Sequence, residues 1–224
     1  MIEIISASRH NEQSFWNTSP LGISLRRLMF DFRLKHHITY NNHTGLGKIY
    51  NRRIGSTSPD DVLVFIHDDV WIDDFHLGDH IIQGLEQYDI IGVAGNLRRV
   101  PYQPSWAFID DKFTWDEKKN LSGAVAHAPS PFGQISFYGK VPATCELLDG
   151  VLLAARRSKL NAVDVTFDPV FEFHFYDIDF CRTARYRELR LGTWNIAITH
   201  ASGGNCGSEE WKKMYANYLL KWKD

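Results

Sequence analysis

The chain is 224 residues long, 44% hydrophobic and 23% charged, an ordinary globular balance with length enough to bury a full core without a disulfide or metal staple. A formal net charge of −2 gives no basic excess, so no nucleic-acid partner is expected. Three widely spaced cysteines, Cys145, Cys181 and Cys206, show neither Cys-x-x-Cys nor Cys/His ligand spacing, which speaks against a structural zinc site or a disulfide framework.

The N-terminus carries acid early and lacks a basic segment followed by an apolar one, so it does not read as a signal peptide. Residues 2–7 read as a short, almost continuously apolar strand of the kind buried in a parallel sheet. Leu21, Leu25, Leu28 and Met29 stand at helical spacing over 20–30. A strand over 37–41 leads into the loop Asn41-Asn-His-Thr-Gly-Leu-Gly and a helix over 48–54. The run Val-Leu-Val-Phe-Ile at 62–66 is the clearest buried strand, and no pure apolar stretch is longer, far short of a bilayer span. A helix over 73–88 and a strand over 89–94 ending in Gly95 complete a fourfold alternation of strand and helix. That order predicts an α/β fold with a single, mostly parallel sheet flanked by helices, and ligands outside the carboxyl ends of the strands. Residues 98–142 are Pro-rich and carry Trp106, Trp115 and a strand at 134–138, an insertion suited to lining an acceptor site. Regularity returns with strands over 146–155 and 193–199, a helix over 178–188 and a terminal amphipathic helix over 209–221. With no membrane span and no leader, a cytoplasmic protein is expected, with peripheral membrane contact left open.

Chemistry-bearing residues fall at the ends of these elements. His67-Asp68-Asp69 follow the strand at 62–66, and two adjacent carboxylates leaving a buried strand call for a cation, most naturally a hard divalent ion bound to a diphosphate. A solvated turn is the competing structural reading. Asp177 precedes a predicted helix, where the dipole stabilises a carboxylate that can serve as a base. The alternative makes Asp177 a helix cap and Asp179 a surface acid. His200 ends a strand and can ligate a metal through a neutral ring nitrogen, or simply be a hydrogen-bonded residue. Glycines 203, 204 and 207 suggest a segment that closes over a diphosphate. The stretch 41–48 has neither P-loop nor dinucleotide-loop spacing, yet its amides and Lys48 could meet a phosphate.

Taken in order, these pieces resemble a GT-A glycosyltransferase of the family 2-like type over nearly the whole chain. The matching stretches are the strand into Ser8, Asn42-His-Thr-Gly45 with Asn51, and Val62-Leu-Val-Phe-Ile-His67-Asp68-Asp69. They continue with Ile91-Gly-Val-Ala-Gly95, Leu148-Asp149-Gly150, Tyr176-Asp177-Ile-Asp179, Thr199-His200 and the close Asn217-Tyr-Leu-Leu-Lys-Trp222. The resemblance implies one GT-A domain over 1–224, with a nucleotide-binding half (1–95) and an acceptor and catalytic half (96–224). It implies inverting, metal-dependent transfer from a UDP- or GDP-sugar to a glycan or other hydroxyl acceptor. Asp69 would hold Mn2+ or Mg2+, with His200 completing that site, and Asp177 would be the general base. Ser6, Ser8, Asn42 and Lys48 fall where the family binds nucleobase and ribose, with His67, Asp68, Asp149 and Gly150 contacting the rest of the nucleotide-sugar. The chain departs from the pattern twice. His67 replaces the first Asp of Asp-x-Asp, as in a His-x-Asp sub-branch, and Tyr176 replaces the Glu before Asp177. Two other readings stand beside this one: a catalytically inactive nucleotide-sugar or glycan binder on the same fold, and a metal-dependent hydrolase using His67, Asp68, Asp69 and His200.

Overall fold

The computed structural model describes residues 1–203 and 206–224. Its first strand, β1 (Ile2–Ala7), is buried along almost its whole length. Helix α1 (Glu12–Thr18) has no counterpart in the sequence reading, because only Phe15 is fully buried and the helix is signalled by its cap alone, Asn11 accepting from the Ser14 amide at 2.9 Å. In α2 (Pro20–Arg27), Ser19 caps and Pro20 opens the first turn. That helix stops short of residue 30, leaving Met29 and Phe30 more than half exposed. Strand β2 (Leu34–Thr39) and helix α3 (Leu46–Ser56) follow, then β3 (Val62–Ile66), buried at every position. A short β4 (Val70–Ile72) occupies residues just ahead of the expected helix at 73–88, which begins only at Leu77 (α4, Leu77–Gln87) because Asp74 turns back to accept the His76 amide at 2.8 Å.

The rest of the chain alternates short strands with three helices. The strands are β5 (Ile90–Gly92), β6 (Ala94–Asn96), β7 (Leu121–His127), β8 (Gln134–Gly139), β9 (Ala143–Cys145), β10 (Leu147–Leu148) and β11 (Leu152–Arg156). After them come α5 (Arg157–Ala162), α6 (Tyr176–Tyr186), β12 (Leu191–Thr193), β13 (Ile198–His200) and α7 (Glu209–Trp222).

The α/β class is as expected, but the sheet is not single. A seven-stranded sheet runs β2-β1-β3-β11-β5-β12-β9 and a six-stranded one runs β10-β6-β7-β13-β4 with β8 on β7. In the larger sheet β1–β2, β1–β3 and β5–β12 are parallel, while β3–β11, β5–β11 and β9–β12 are antiparallel. The physical reason lies in three apolar runs that read as continuous strands and in fact cross from one sheet to the other. Residues 90–92 belong to the large sheet and 94–96 to the small one, 147–148 to the small and 152–156 to the large, 191–193 to the large and 198–200 to the small. Both sheets bury most residues on either side of each crossing, so each run reads as one strand although Asp149-Gly150 and Asn195 interrupt two of them. Strands from residues 1–95 and from 96–224 interleave in both sheets.

Beneath the β3 terminus lies an aromatic cluster. Phe65 packs on Tyr50 (4.8 Å between centroids) and Phe167 (5.0 Å), and Phe167 stacks on Phe180 of α6 at 4.1 Å. Asn51 clasps the Phe167 backbone through both amide atoms, at 2.7 and 2.9 Å, fixing the segment that enters α6. The terminal helix is tied to α6 by Asp179, which is fully buried and not on the surface: Lys221 and the Trp222 indole each reach its carboxylate at 2.8 Å. No helix among the described residues is long and apolar enough to cross a membrane.

Candidate active site

Three of the sequence-predicted residues converge where β3 and β13 end. His67 and Asp69 follow β3, His200 closes β13, and one ligand atom from each lies within 4.8 Å of the others. Asp69 Oδ1 sits 3.3 Å from His200 Nε2 and 4.0 Å from His67 Nδ1. The Asp69 approach to His200 has ion-pair length without the direction of a hydrogen bond, so Oδ1 is buried with no hydrogen-bond partner. A buried, orphaned carboxylate oxygen between two imidazole nitrogens is costly unless a cation completes it. Separations of 3.3 and 4.0 Å are those of ligands sharing one ion at about 2.1 Å each, so the residues fit a divalent metal. His67, which the sequence placed among the nucleotide contacts, joins this cluster.

Local electrostatics suit that use at His67 and Asp69 and oppose it at His200 while no ion is bound. Burial lowers the His67 pKa below the ordinary imidazole value, against the pull of Asp69, which favours the neutral ring a metal requires. Burial also acts to lower His200, but its contact with Asp69 outweighs this and leaves it raised. Asp69 is held well below the usual carboxylate range: burial opposes ionisation, and His200, Ser202 and His67 overcome it. Asp68 is half-buried and lines the same cavity, while its backbone carbonyl accepts the Leu21 amide at 3.1 Å.

Asp177 lies in the first turn of α6, following Phe175, whose φ of 67° turns the chain sharply into the helix. Its carboxylate accepts the Gly150 amide at 3.0 Å, a contact outside its own helix. Half-buried and open only to the cavity, it is pushed up to about 7 by loss of water and by the nearby Asp149 charge. Asp149 is fixed by the Trp106 indole at 2.8 Å and the Val151 amide at 3.0 Å, in the turn where the chain passes between the sheets. Gly150 is required there, because a Cβ would lie 2.3 Å from the Tyr176 hydroxyl.

His67, Asp68, Asp69, Asp149, Gly150, Asp177 and His200 all line one cavity of about 910 Å3. Ser6, Ser8, Asn42 and Lys48 do not. Ser6 is fully buried with its hydroxyl unpartnered, Ser8 accepts the His10 amide at 3.1 Å, Asn42 is engaged with Thr44, and Lys48 is exposed on α3. Ala7, Leu46 and Tyr50 reach the cavity from those segments instead. The Pro-rich insertion contributes Trp106, Trp115 and Tyr138, with Trp115 stacked on Tyr138 at 5.9 Å and its ring half-exposed. The Trp106 bond to Asp149 and the place of Tyr176 in the site are not signalled by the sequence. The polar tips of these side chains carry no periodic signal, and only the departure from the Glu-Asp pattern marked Tyr176. Of the three glycines read as a closing segment, Gly203 lines the cavity and Gly204 lies outside the described residues.

Among solved structures the chain is similar to the catalytic domain of Drosophila beta1,4-galactosyltransferase 7, solved with xylobiose, at a TM-score of 0.50 and 12% identity, covering 96% of this chain and 79% of that one. It is similar also to Staphylococcus aureus TarS residues 1–349, solved with UDP-GlcNAc, at 0.50 and 12%, covering 98% of this chain and 66% of that one, just under two thirds of its length. The fold is of the GT-A type. A third match, A197 from STIV, has a TM-score of 0.50 at 10% identity over 86% of this chain and 80% of the other. At these identities the GT-A likeness is one of fold. No protein-family model matches the sequence, and no curated protein matches it.

Proposed function

We propose that the chain transfers a sugar from a nucleoside-diphosphate sugar to a hydroxyl acceptor, with His67, Asp69 and His200 holding a divalent ion and Asp177 as general base. The observation that carries this reading is Asp69 Oδ1, buried and unpartnered between two histidines, in the same cavity as a carboxyl group raised to about 7. Two imidazoles and one carboxylate suit Mn2+ better than Mg2+, which prefers an all-oxygen shell. When bound, the ion supplies positive charge for the departing diphosphate. Asp177 takes the acceptor hydroxyl proton, and a single base with direct attack leads to inversion. Asp149 and Gly150 border the donor sugar, while Trp115 and Tyr138 offer an aromatic face for the acceptor. Residues 1–95 contribute most of the donor side and 96–224 most of the acceptor side. The UDP-GlcNAc in the TarS structure supports a UDP-sugar over a GDP-sugar, and a cytoplasmic site of action is part of the same reading.

Incubation with UDP- and GDP-sugars, Mn2+ and a panel of glycans tests this. Release of nucleoside diphosphate is expected only when both acceptor and Mn2+ are present. Nucleotide binding without release in any combination would leave a binding protein, and release from simple phosphate esters without a sugar acceptor would leave a hydrolase; either sinks the transferase reading.

A further inference from the structure

The two positions at which the chain departs from the GT-A pattern are bonded to each other. His67 Nε2 and the Tyr176 hydroxyl are 2.7 Å apart, and that hydroxyl donates to the Gly150 carbonyl at 2.9 Å. A phenol has one proton, and a carbonyl can only accept. With the proton committed to Gly150, the phenolic oxygen must accept from His67, which places the imidazole proton on Nε2. Nδ1, the nitrogen nearer Asp69, then carries the lone pair. The Tyr176 ring is itself immobilised, buried against Tyr50 at 6.1 Å and Phe167 at 6.0 Å, and Gly150 has no side chain to push the hydroxyl away.

We propose that Tyr176 is a positioning residue that locks His67 as the Nε2–H tautomer and so presents Nδ1 as a ligand to the ion shared with Asp69 and His200. The ion rests on the reading given above, whereas the tautomer rests on the hydrogen bonds alone. The bridge has a second consequence. Gly150 receives Tyr176 on its carbonyl and donates its amide to Asp177, so a single residue joins the metal cluster to the base. Outer partners that orient a metal-ligating histidine are worth about tenfold to a hundredfold in metal affinity.

Two measurements test this. The first is long-range proton–nitrogen NMR of the 15N-histidine-labelled, metal-free protein, with the His67 ring assigned by its loss in His67→Gln. The Nε2–H pattern is expected, giving way to a tautomer mixture in Tyr176→Phe. The second is Mn2+ titration followed by the electron paramagnetic resonance of the free ion. Tyr176→Phe should bind about tenfold to a hundredfold more weakly than wild type. Tyr218→Phe, which likewise removes a tyrosine hydroxyl, there one without a hydrogen-bond partner, and lies in α7 outside the cavity lining, should bind as wild type. A wild-type His67 proton on Nδ1 overturns the proposal even if Tyr176→Phe does not fold, as does equal Mn2+ affinity in a folded Tyr176→Phe. If wild type itself binds no Mn2+, the metal reading fails and the ligand role fails with it, while the NMR pattern shows whether the tautomer lock survives.

Discussion

At the residue scale, Asp177 is the position at which the proposed transferase and a binding protein part. Its carboxylate takes the Gly150 amide and touches no part of the metal cluster. Asp177→Asn keeps the shape and the ability to accept that amide but cannot take a proton. Sugar transfer is expected to fall about a hundredfold or more, with metal and nucleotide affinity unchanged. Because the base must be ionised and its pKa is raised to about 7, wild-type kcat/KM should climb through neutral pH and level off above it. The same shift acts on stability. The folded pKa lies above the unfolded value of 3.8, so the stabilising effect of protonation is complete below about pH 4 and is lost as pH rises through about 7. The Tm of Asp177→Asn relative to wild type should therefore rise by several degrees between about pH 4 and about pH 8. A pH-independent Tm difference, together with wild-type turnover in the Asn variant, would return Asp177 to the role of a helix cap. Asp69 and His200 were legible in the sequence because they stand at the ends of apolar strands, and Asp177 because it stands at the start of a helix. The role of His67 was not, since which way a ring points after β3 depends on Tyr176, distant in sequence and brought near only by folding.

At the element scale, α7 is held to α6 by charge and by an indole. Asp179 is fully buried and accepts from both Lys221 and Trp222, and removing it leaves a buried N–H without a partner and a lysine short of one carboxylate. Asp179→Ala should cost about 3 kcal/mol, seen as a Tm lower by roughly 10 °C, with Mn2+ affinity of the folded protein retained. A Tm within a degree or two of wild type would show that α7 is held by packing of Trp211 and Tyr218 instead. Elements with a clean signal, β1, β3 and α7, are where periodicity and length place them. Strands β4, β6, β9 and β10 are only two or three residues long, too short for any period to register. The split of each apolar run between two sheets is set by tertiary packing, and the turn at Asp149-Gly150 that makes one such split is itself part of the site.

At the scale of the whole molecule, the α/β class was readable from the order of strands and helices, and the GT-A likeness from the order of motifs along them. The two-sheet arrangement was not, because antiparallel partners such as β11 between β3 and β5 arrive from distant parts of the chain. Donor-side residues fared unevenly for a similar reason: Ser6, Ser8, Asn42 and Lys48 match by order, but shaping of their loops keeps them off the cavity that the cluster and Asp177 share. The central claim is that this cavity binds a nucleoside diphosphate through a metal at Asp69. It is tested most directly by the thermal stability of wild type and Asp69→Ala with UDP or GDP, each with and without Mn2+. A ligand that binds only the folded form raises stability by RT ln(1 + [L]/Kd), about 2.7 kcal/mol at a hundredfold excess over Kd, and Tm rises with it. Nucleotide with Mn2+ should raise the wild-type Tm by several degrees, nucleotide alone should do so less, and the Asp69→Ala protein should fold but show no Mn2+-dependent gain. No shift of wild type with any nucleoside diphosphate and divalent ion, or an equal shift in Asp69→Ala, would contradict the account.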